Sequence, residues 1–259
     1  MAQWRHPDAG QYVDGPCAGT LRRPQESRRC NGRGAWAFQQ STEPGASGGG
    51  NVSTADTLEN PGVPIRPQKP VGEVYRRHDT QLCSWISFRT LDIREDLARF
   101  NRWQNSPRVE YFWEESGSLE EHRRHLEVLA KDPHCLQLIG CFDDEPFGFF
   151  DVYWAQEDRI GPHCEAGLHD RGIHMLVGED HHRGPHKVAC WLPSLVHYLF
   201  LDEPRTQRIV SEPRSDNDRM IHHLQNTGFD RVRDFDFPHK RAALMSLSRE
   251  RFFERSSMC

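Results

Sequence analysis

The chain has 259 residues, 36 % of them hydrophobic and 27 % charged, with a formal net charge of −5. That length suits one large domain or two small ones, and the acidic balance gives no support for a nucleic-acid-binding surface. No run of about 18 apolar residues occurs, so no membrane-spanning helix is expected.

The opening M-A-Q-W-R-H-P-D-A-G lacks an apolar signal core, which makes a cytoplasmic location the expectation. Cysteines stand at Cys17, Cys30, Cys83, Cys135, Cys141, Cys164, Cys190 and Cys259 without a C-x-x-C pair. Free thiols are expected, with neither a zinc ribbon nor a thioredoxin-type site. Residues 1–70 hold ten of the 20 glycines and eight of the 17 prolines. Few apolar residues recur there, so the segment cannot bury enough surface to offset its ordering entropy. Residues 1–73 therefore read as a low-complexity, disordered leader, and 74–259 as the folded domain. The arginines at 22, 23, 28 and 29 read as a solvated charge run.

Order is expected from Val74. Ile86, Phe88 and Thr90 read as a first strand, and Asp96 to Gln104 as a helix with Leu97, Phe100 and Trp103 at spacings of three. After an aromatic link from Tyr111 to Glu115, Ser118-Leu119-Glu120-Glu121 forms a capping box for a helix ending by Asp132-Pro133. A hairpin follows, with strands from Leu136 to Phe142 and Phe147 to Trp154 about an Asp143-Asp144-Glu145 turn. Alternation puts Phe147, Phe149, Asp151 and Tyr153 on one face and Gly148, Phe150, Val152 and Trp154 on the other. An acid among aromatics could cradle an ammonium group. A solvent-facing acid on an edge strand is the alternative reading.

Past a polar insertion from Gln156 to Asp170, the stretch Arg171–Phe200 reads as strand, Gly/Pro turn and helix. Ile173, Met175 and Val177 alternate with His174, Leu176 and Gly178. Pro185 suits a first helical turn. Val188, Leu192, Leu195, Val196 and Leu199 recur at helical spacing, and Pro193 is expected to kink that helix. A strand, a glycine turn and a helix N-terminus can make an anion site, to which Arg183, His186 and Lys187 add cations, with an ordinary strand–helix connection as the alternative reading. Neither a Walker lysine nor G-x-G-x-x-G is present. Arg208 to Glu212 reads as a strand, Asn217 to Thr227 as a helix closed by Gly228, and Arg231 to Phe237 with Ala242 to Leu247 as closing strands. Fifteen histidines raise a metal reading, chiefly for His163, His169, His181, His182 and His186. No H-x-x-x-H pair sits on a clear helix, so no metal is expected.

The element order, with Arg183-Gly184 opening the central helix, resembles the GNAT acyl-CoA acyltransferase superfamily. Asn217, Met220, Leu224, Gly228 and Phe229 fall at the spacing of its penultimate helix. More narrowly, G-C-F-D-D-E-P-F-G-F-F-D-V-Y-W-A, R-G-I-H-M-L-V-G-E, the run from R-G-P-H-K-V to S-E-P-R-S-D-N, and F-D-F-P-H-K-R-A-A-L resemble the siderophore-biosynthesis acyltransferases. That family includes N-hydroxylysine O-acetyltransferase-type enzymes and those of mycobactin and alcaligin-like pathways.

The resemblance implies an α/β GNAT fold, a mixed central sheet flanked by helices. It implies transfer of an acyl group from acetyl-CoA or succinyl-CoA, as cosubstrate, to the terminal, often hydroxylated nitrogen of a lysine, ornithine or diamine. Partners would be enzymes of the same pathway, and no cofactor would be permanently bound. The CoA pyrophosphate would rest on Arg183, Gly184, Pro185, His186 and Lys187, with Asn217 a further cofactor contact. Catalytic roles would fall on His174 and Asp216. Leu224 stands where many GNAT enzymes carry a tyrosine that protonates the thiolate, and Pro185 removes a backbone donor from the loop.

The residues themselves suit that chemistry. An imidazole with an ordinary pKa of about 6.5 makes His174 a base at neutral pH. Asp216 would orient it or hold the substrate nitrogen, and backbone N–H groups near Leu176 and Val177 would meet the oxyanion. A thiol pKa of about 8.5 lets the thiolate leave without a strong acid. Trp113, Asp151, Tyr153 and Trp154 are the candidate substrate-binding residues. The competing reading is a non-catalytic GNAT-fold module that binds acyl-CoA or a partner.

Overall fold

Residues 65–255 are described by a computed structural model. The leader up to residue 64, with its arginine run, Cys17 and Cys30, lies outside the described residues, as does Cys259. The elements are β1 (Glu73–Asp79), β2 (Ser84–Thr90), α1 (Ile93–Gln104), α2 (Pro107–Trp113), α3 (Leu119–Lys131), β3 (Cys135–Phe142), β4 (Glu145–Trp154), α4 (Gly161–Cys164) and β5 (Arg171–Val177). They continue with α5 (Pro185–Asp202), β6 (Arg208–Ser211), α6 (Asp218–Thr227), β7 (Asp230–Asp236), β8 (Arg241–Ser248) and α7 (Arg249–Arg255).

Local chemistry explains most boundaries. The Asp92 carboxylate accepts from the Arg94 N–H to start α1, and Ser118 and Glu121 close a reciprocal capping box at α3. Asp143 and Asp144, both at positive φ, make the tight turn between β3 and β4. Gly228, at φ +113°, ends α6 in the left-handed conformation that favours glycine. α5 runs on through Pro193. One lost hydrogen bond is tolerated there because Trp191, Leu192 and Leu195 are wholly buried.

Four elements arise where the sequence expects none: β1, α2, α4 and α7. β1 is a charged edge strand without clean alternation. It is tied down by Tyr75, whose hydroxyl meets His197 Nδ1 at 2.9 Å, and by Arg77, which donates to Ser194 at 2.8 Å. α2 starts with Pro107 at N1 and buries only Val109, too little for a periodic signal.

The strands form one sheet in the order β1-β2-β3-β4-β5-β6-β8-β7. Every neighbouring pair is antiparallel except β5 and β6. Ile86, Phe88, Leu138, Phe150 and Ile173 pack against Trp191, Leu195 and Leu199 of α5. On the opposite face, α1 and α3 bring Leu97, Phe100, Trp103 and Leu126 onto Ile139, Phe149 and Leu176. Each such side chain contributes about 1.5–3 kcal/mol by leaving water. Phe147 departs from the expected alternation. β3 and β4 shift register between Gly140↔Gly148 and Cys141↔Pro146, leaving Phe147 as the extra residue of a bulge. Its ring turns to the α5 side and joins Phe150 over Gly140, where a Cβ would lie within 2.9 Å of both rings.

The end of the expected leader packs on the sheet. Arg66 stacks 4.0 Å over Trp154 and pairs with Glu157 at 2.7 Å, and Lys69 donates to the Leu129 carbonyl at 2.6 Å. The described cysteines Cys83, Cys135, Cys141, Cys164 and Cys190 are free thiols. No helix among the described residues is long and apolar enough to cross a membrane.

Candidate active site

Alternation and register together build the site. Gln137 pairs with Asp151, and Asp151 with His174, so the three stand abreast on β3, β4 and β5. The parallel pairing of β5 and β6 comprises only Arg171↔Ile209 and Gly172↔Val210, although β5 runs on to Val177. Beyond that fork, with Ser211 donating to the Ile173 carbonyl at 3.1 Å, His174 stands level with Glu212. Its Nε2 lies 2.5 Å from Glu212 Oε1, and its Nδ1 lies 3.8 Å from Asp151 Oδ2. Gln137 donates to Asp151 Oδ1 at 2.9 Å.

Glu212 is wholly buried, and a buried charge must be paired. The Tyr153 hydroxyl donates to its Oε2 at 2.8 Å, and the Lys240 ammonium lies 3.7 Å from Oε1 and donates to its carbonyl at 2.9 Å. Gly172 makes this possible: a Cβ there would lie 2.0 Å from the Tyr153 ring. The row thus runs between two apolar clusters, one under α1 and α3 and one around Tyr153, Val210 and Phe235.

Burial alone would lower the His174 pKa, but the Glu212 charge, helped by hydrogen bonds with Asp151 and Glu212, raises it well above the ordinary imidazole range. Burial works the other way on Glu212. The His174 and Lys240 charges, with hydrogen bonds from His174 and Tyr153, hold it far below the carboxylate range. The expectation of an ordinary imidazole is therefore corrected: the His174–Glu212 pair carries its proton at neutral pH.

Asp216 does not meet His174. It pairs with Arg214 at 2.9 Å and is half exposed, because the chain after Glu212 turns away along β8, where Arg214 bridges to Ala242. Arg214 instead steadies α2, donating to the Tyr111 carbonyl at 3.1 Å. Trp113, at the end of α2, stands edge-on to His174 at 6.4 Å. Of the other substrate candidates, Asp151 borders the His174 space. Tyr153 is buried beneath it, 1 % exposed, and serves Glu212. Trp154 lies on the opposite sheet face, between the Arg66 and Arg171 guanidiniums.

The anion turn follows. Gly178 donates to Phe147 on the β4 side at 2.8 Å, and successive N–H groups of an extended chain point to opposite edges. The Val177 N–H therefore faces the open edge, whereas that of Leu176 belongs to the β4 ladder and its side chain to the core. Of the two expected oxyanion donors, only Val177 is free to serve. The Val177 carbonyl accepts from Arg108 at 2.9 Å.

A 3-10 turn, Asp180–His182, leads to Gly184, the N-cap of α5 at φ +123°, and Pro185 at N1. Lys187 and Val188 turn their N–H groups onto the Gly184 carbonyl, leaving the His186 N–H at the helix mouth, where the helix dipole favours an anion. Arg183 is an exposed side chain paired with Asp180 at 3.4 Å, and the Lys187 ammonium lies 4.3 Å over the Phe142 ring. Asn217 uses its Oδ1 to cap α6, accepting from the Met220 N–H at 3.2 Å.

Glu212, Lys240, Gln137 and Arg108 were missed by sequence reasoning. Glu212 lay inside the motif S-E-P-R-S-D-N, yet only the parallel register distinguishes it from Asp216. Among the histidines considered for a metal, His163 stacks on Phe235 at 4.5 Å and His169 lies edge-on to Trp154. His181 and His182 sit side by side at Glu145.

Residues 92–237 match the family described as Acetyltransferase (GNAT) domain. Over 190 residues the chain is 52 % identical to the N(6)-hydroxylysine O-acetyltransferase of Escherichia coli, covering 73 % of this chain and 60 % of that protein. Over 209 residues it is 42 % identical to the N(5)-hydroxyornithine:cis-anhydromevalonyl coenzyme A-N(5)-transacylase of Beauveria bassiana, covering 79 % and 46 %. The chain thus spans about half the length of these relatives. Among solved structures, aminoglycoside acetyltransferase AAC(6')-Ib in complex with ribostamycin and coenzyme A superposes with a TM-score of 0.60 at 26 % identity, over 66 % of this chain and 97 % of that one.

Proposed function

The chain belongs to the GNAT acetyltransferase family, and we propose that it passes an acyl group from an acyl-CoA to the hydroxylated terminal amine of a lysine- or ornithine-type acceptor in siderophore biosynthesis. Acetyl-CoA or succinyl-CoA would serve as donor, and pathway enzymes that supply the hydroxylated amine as partners. The observation that carries this reading is the Asp151–His174–Glu212 row at the fork of β5 and β6, one strand end away from the anion turn of α5.

In this reading the CoA pyrophosphate rests on residues 183–187 and the thioester lies along the open edge of β5, its carbonyl accepting from the Val177 N–H. A hydroxylamine is far less basic than an alkyl amine, so it arrives unprotonated. It attacks the thioester carbon, and the carbon–sulfur bond breaks. Asp151, steadied by Gln137, takes the proton lost by the attacking group. The His174 imidazolium gives a proton to the departing thiolate and recovers one from Asp151. The balance is the same whether nitrogen or oxygen attacks. Glu212 and Tyr153 act through His174.

Thiol release from acetyl-CoA in the presence of N-hydroxylated lysine, ornithine or a diamine tests the reading. Turnover with at least one of them, much reduced in Asp151→Asn, is the expected result. CoA binding without turnover on any would leave a binding module.

A further inference from the structure

We propose that Glu145, His181 and His182 bind one divalent transition-metal ion of the zinc type, where the β3–β4 turn meets the loop into α5. His181 Nε2 lies 2.8 Å from Glu145 Oε1, and His182 Nε2 lies 3.3 Å from Glu145 Oε2. One ligand atom from each residue falls within a 4.8 Å span. Ligands about 2.0–2.2 Å from a tetrahedral zinc ion lie roughly 3.3–3.6 Å from one another, so small side-chain adjustments suffice to seat the ion.

His182 points to a ligand independently. Its side chain is 8 % exposed, slotted against Phe142 at 5.3 Å and Phe147 at 5.9 Å. Neither ring nitrogen is satisfied by a hydrogen bond among the described residues; the nearest acceptor of Nε2 is Glu145 Oε2 at 3.3 Å. A buried imidazole left that way costs free energy, and an ion on Nε2 would remove part of that cost. His181 and Glu145 are more than half exposed, so an ion arrives directly from solvent and keeps a position for water.

The tight Asp143–Asp144 turn fixes where Glu145 stands. A second grouping, Asp132, His134 and Cys135, lacks these features. There His134 is already bonded to Asp132 at 2.6 Å and faces Asp158 at 3.8 Å, and the Cys135 thiol points at backbone carbonyls. A bound ion would tie the β3–β4 turn to the loop two residues before Gly184.

The test uses the full chain, stripped with a chelator, dialysed, and titrated with zinc chloride by calorimetry. One equivalent should bind and raise the melting temperature. Glu145→Gln and His181→Ala should each weaken binding by about tenfold or more. Glu145→Gln leaves the aromatic slot intact, and its metal-free melting temperature controls for misfolding. Cobalt substitution should give visible bands without thiolate charge transfer. Absence of zinc binding, unchanged affinity in both variants, or a thiolate signature each overturns the site.

Discussion

Glu212 Oε1 and His174 Nε2 lie 2.5 Å apart although 38 residues separate them in the chain. The contact exists because β5 and β6 run parallel with Gly172 level with Val210. Asp216, four residues further on, faces Arg214 instead. The two carboxylates should therefore behave differently. Glu212→Gln is expected to lower kcat by about 10²–10⁴-fold, the worth of a positioned acid–base group, whereas Asp216→Asn should stay near wild type. Steady-state thiol release measures both; equal losses would restore Asp216 to the site.

The raised His174 pKa also predicts a stability trend. A group that holds its proton more tightly when folded contributes fully below its unfolded pKa of about 6.5, and that contribution is lost as pH rises through the folded value. Denaturant unfolding of wild type and His174→Gln should thus show the largest difference near pH 6 and a shrinking one toward pH 9, as about three units of rising pH erode the linkage. The depressed Glu212 pKa contributes a constant amount across that window, because its contribution is lost only as pH falls into the acid range. A difference that grows with pH contradicts the assignment.

Gly184 combines φ +123° with a close neighbour, since a Cβ there would lie 2.9 Å from the His186 ring. A β-branched residue is strained at that φ, at a cost of about 1–3 kcal/mol. Gly184→Val should weaken CoA binding by about tenfold or more by distorting the helix mouth. Calorimetry with CoA checks this, and unchanged affinity would remove the turn from the CoA site.

Arg66 ties the end of the expected leader to the sheet. Its stacking on Trp154 and ion pair with Glu157 are mostly shielded, the Arg66 side chain being 4 % exposed. Loss of a desolvated cation–π contact is worth about 2 kcal/mol, so Arg66→Ala should lower the melting temperature by a few degrees. No shift would mean that the stretch only rests on the surface.

Much of this protein was legible from sequence by itself. The capping box at Ser118, the hairpin around Asp143-Asp144, the Gly228 stop and the opposite faces of His174 and Ile173 all follow from local periods and turn chemistry, which act within a few residues. The rest depends on partners distant in sequence. Phe147 changes face because a bulge adds one residue to β4, and Trp154 is occupied by two arginines from remote segments. The partner of His174 is set by the relative register of two parallel strands, and its proton affinity by the buried charges brought to it. A strand's own alternation decides which face a side chain takes. The residue it meets there, and the charge it then carries, are decided only when the neighbouring strand is laid beside it.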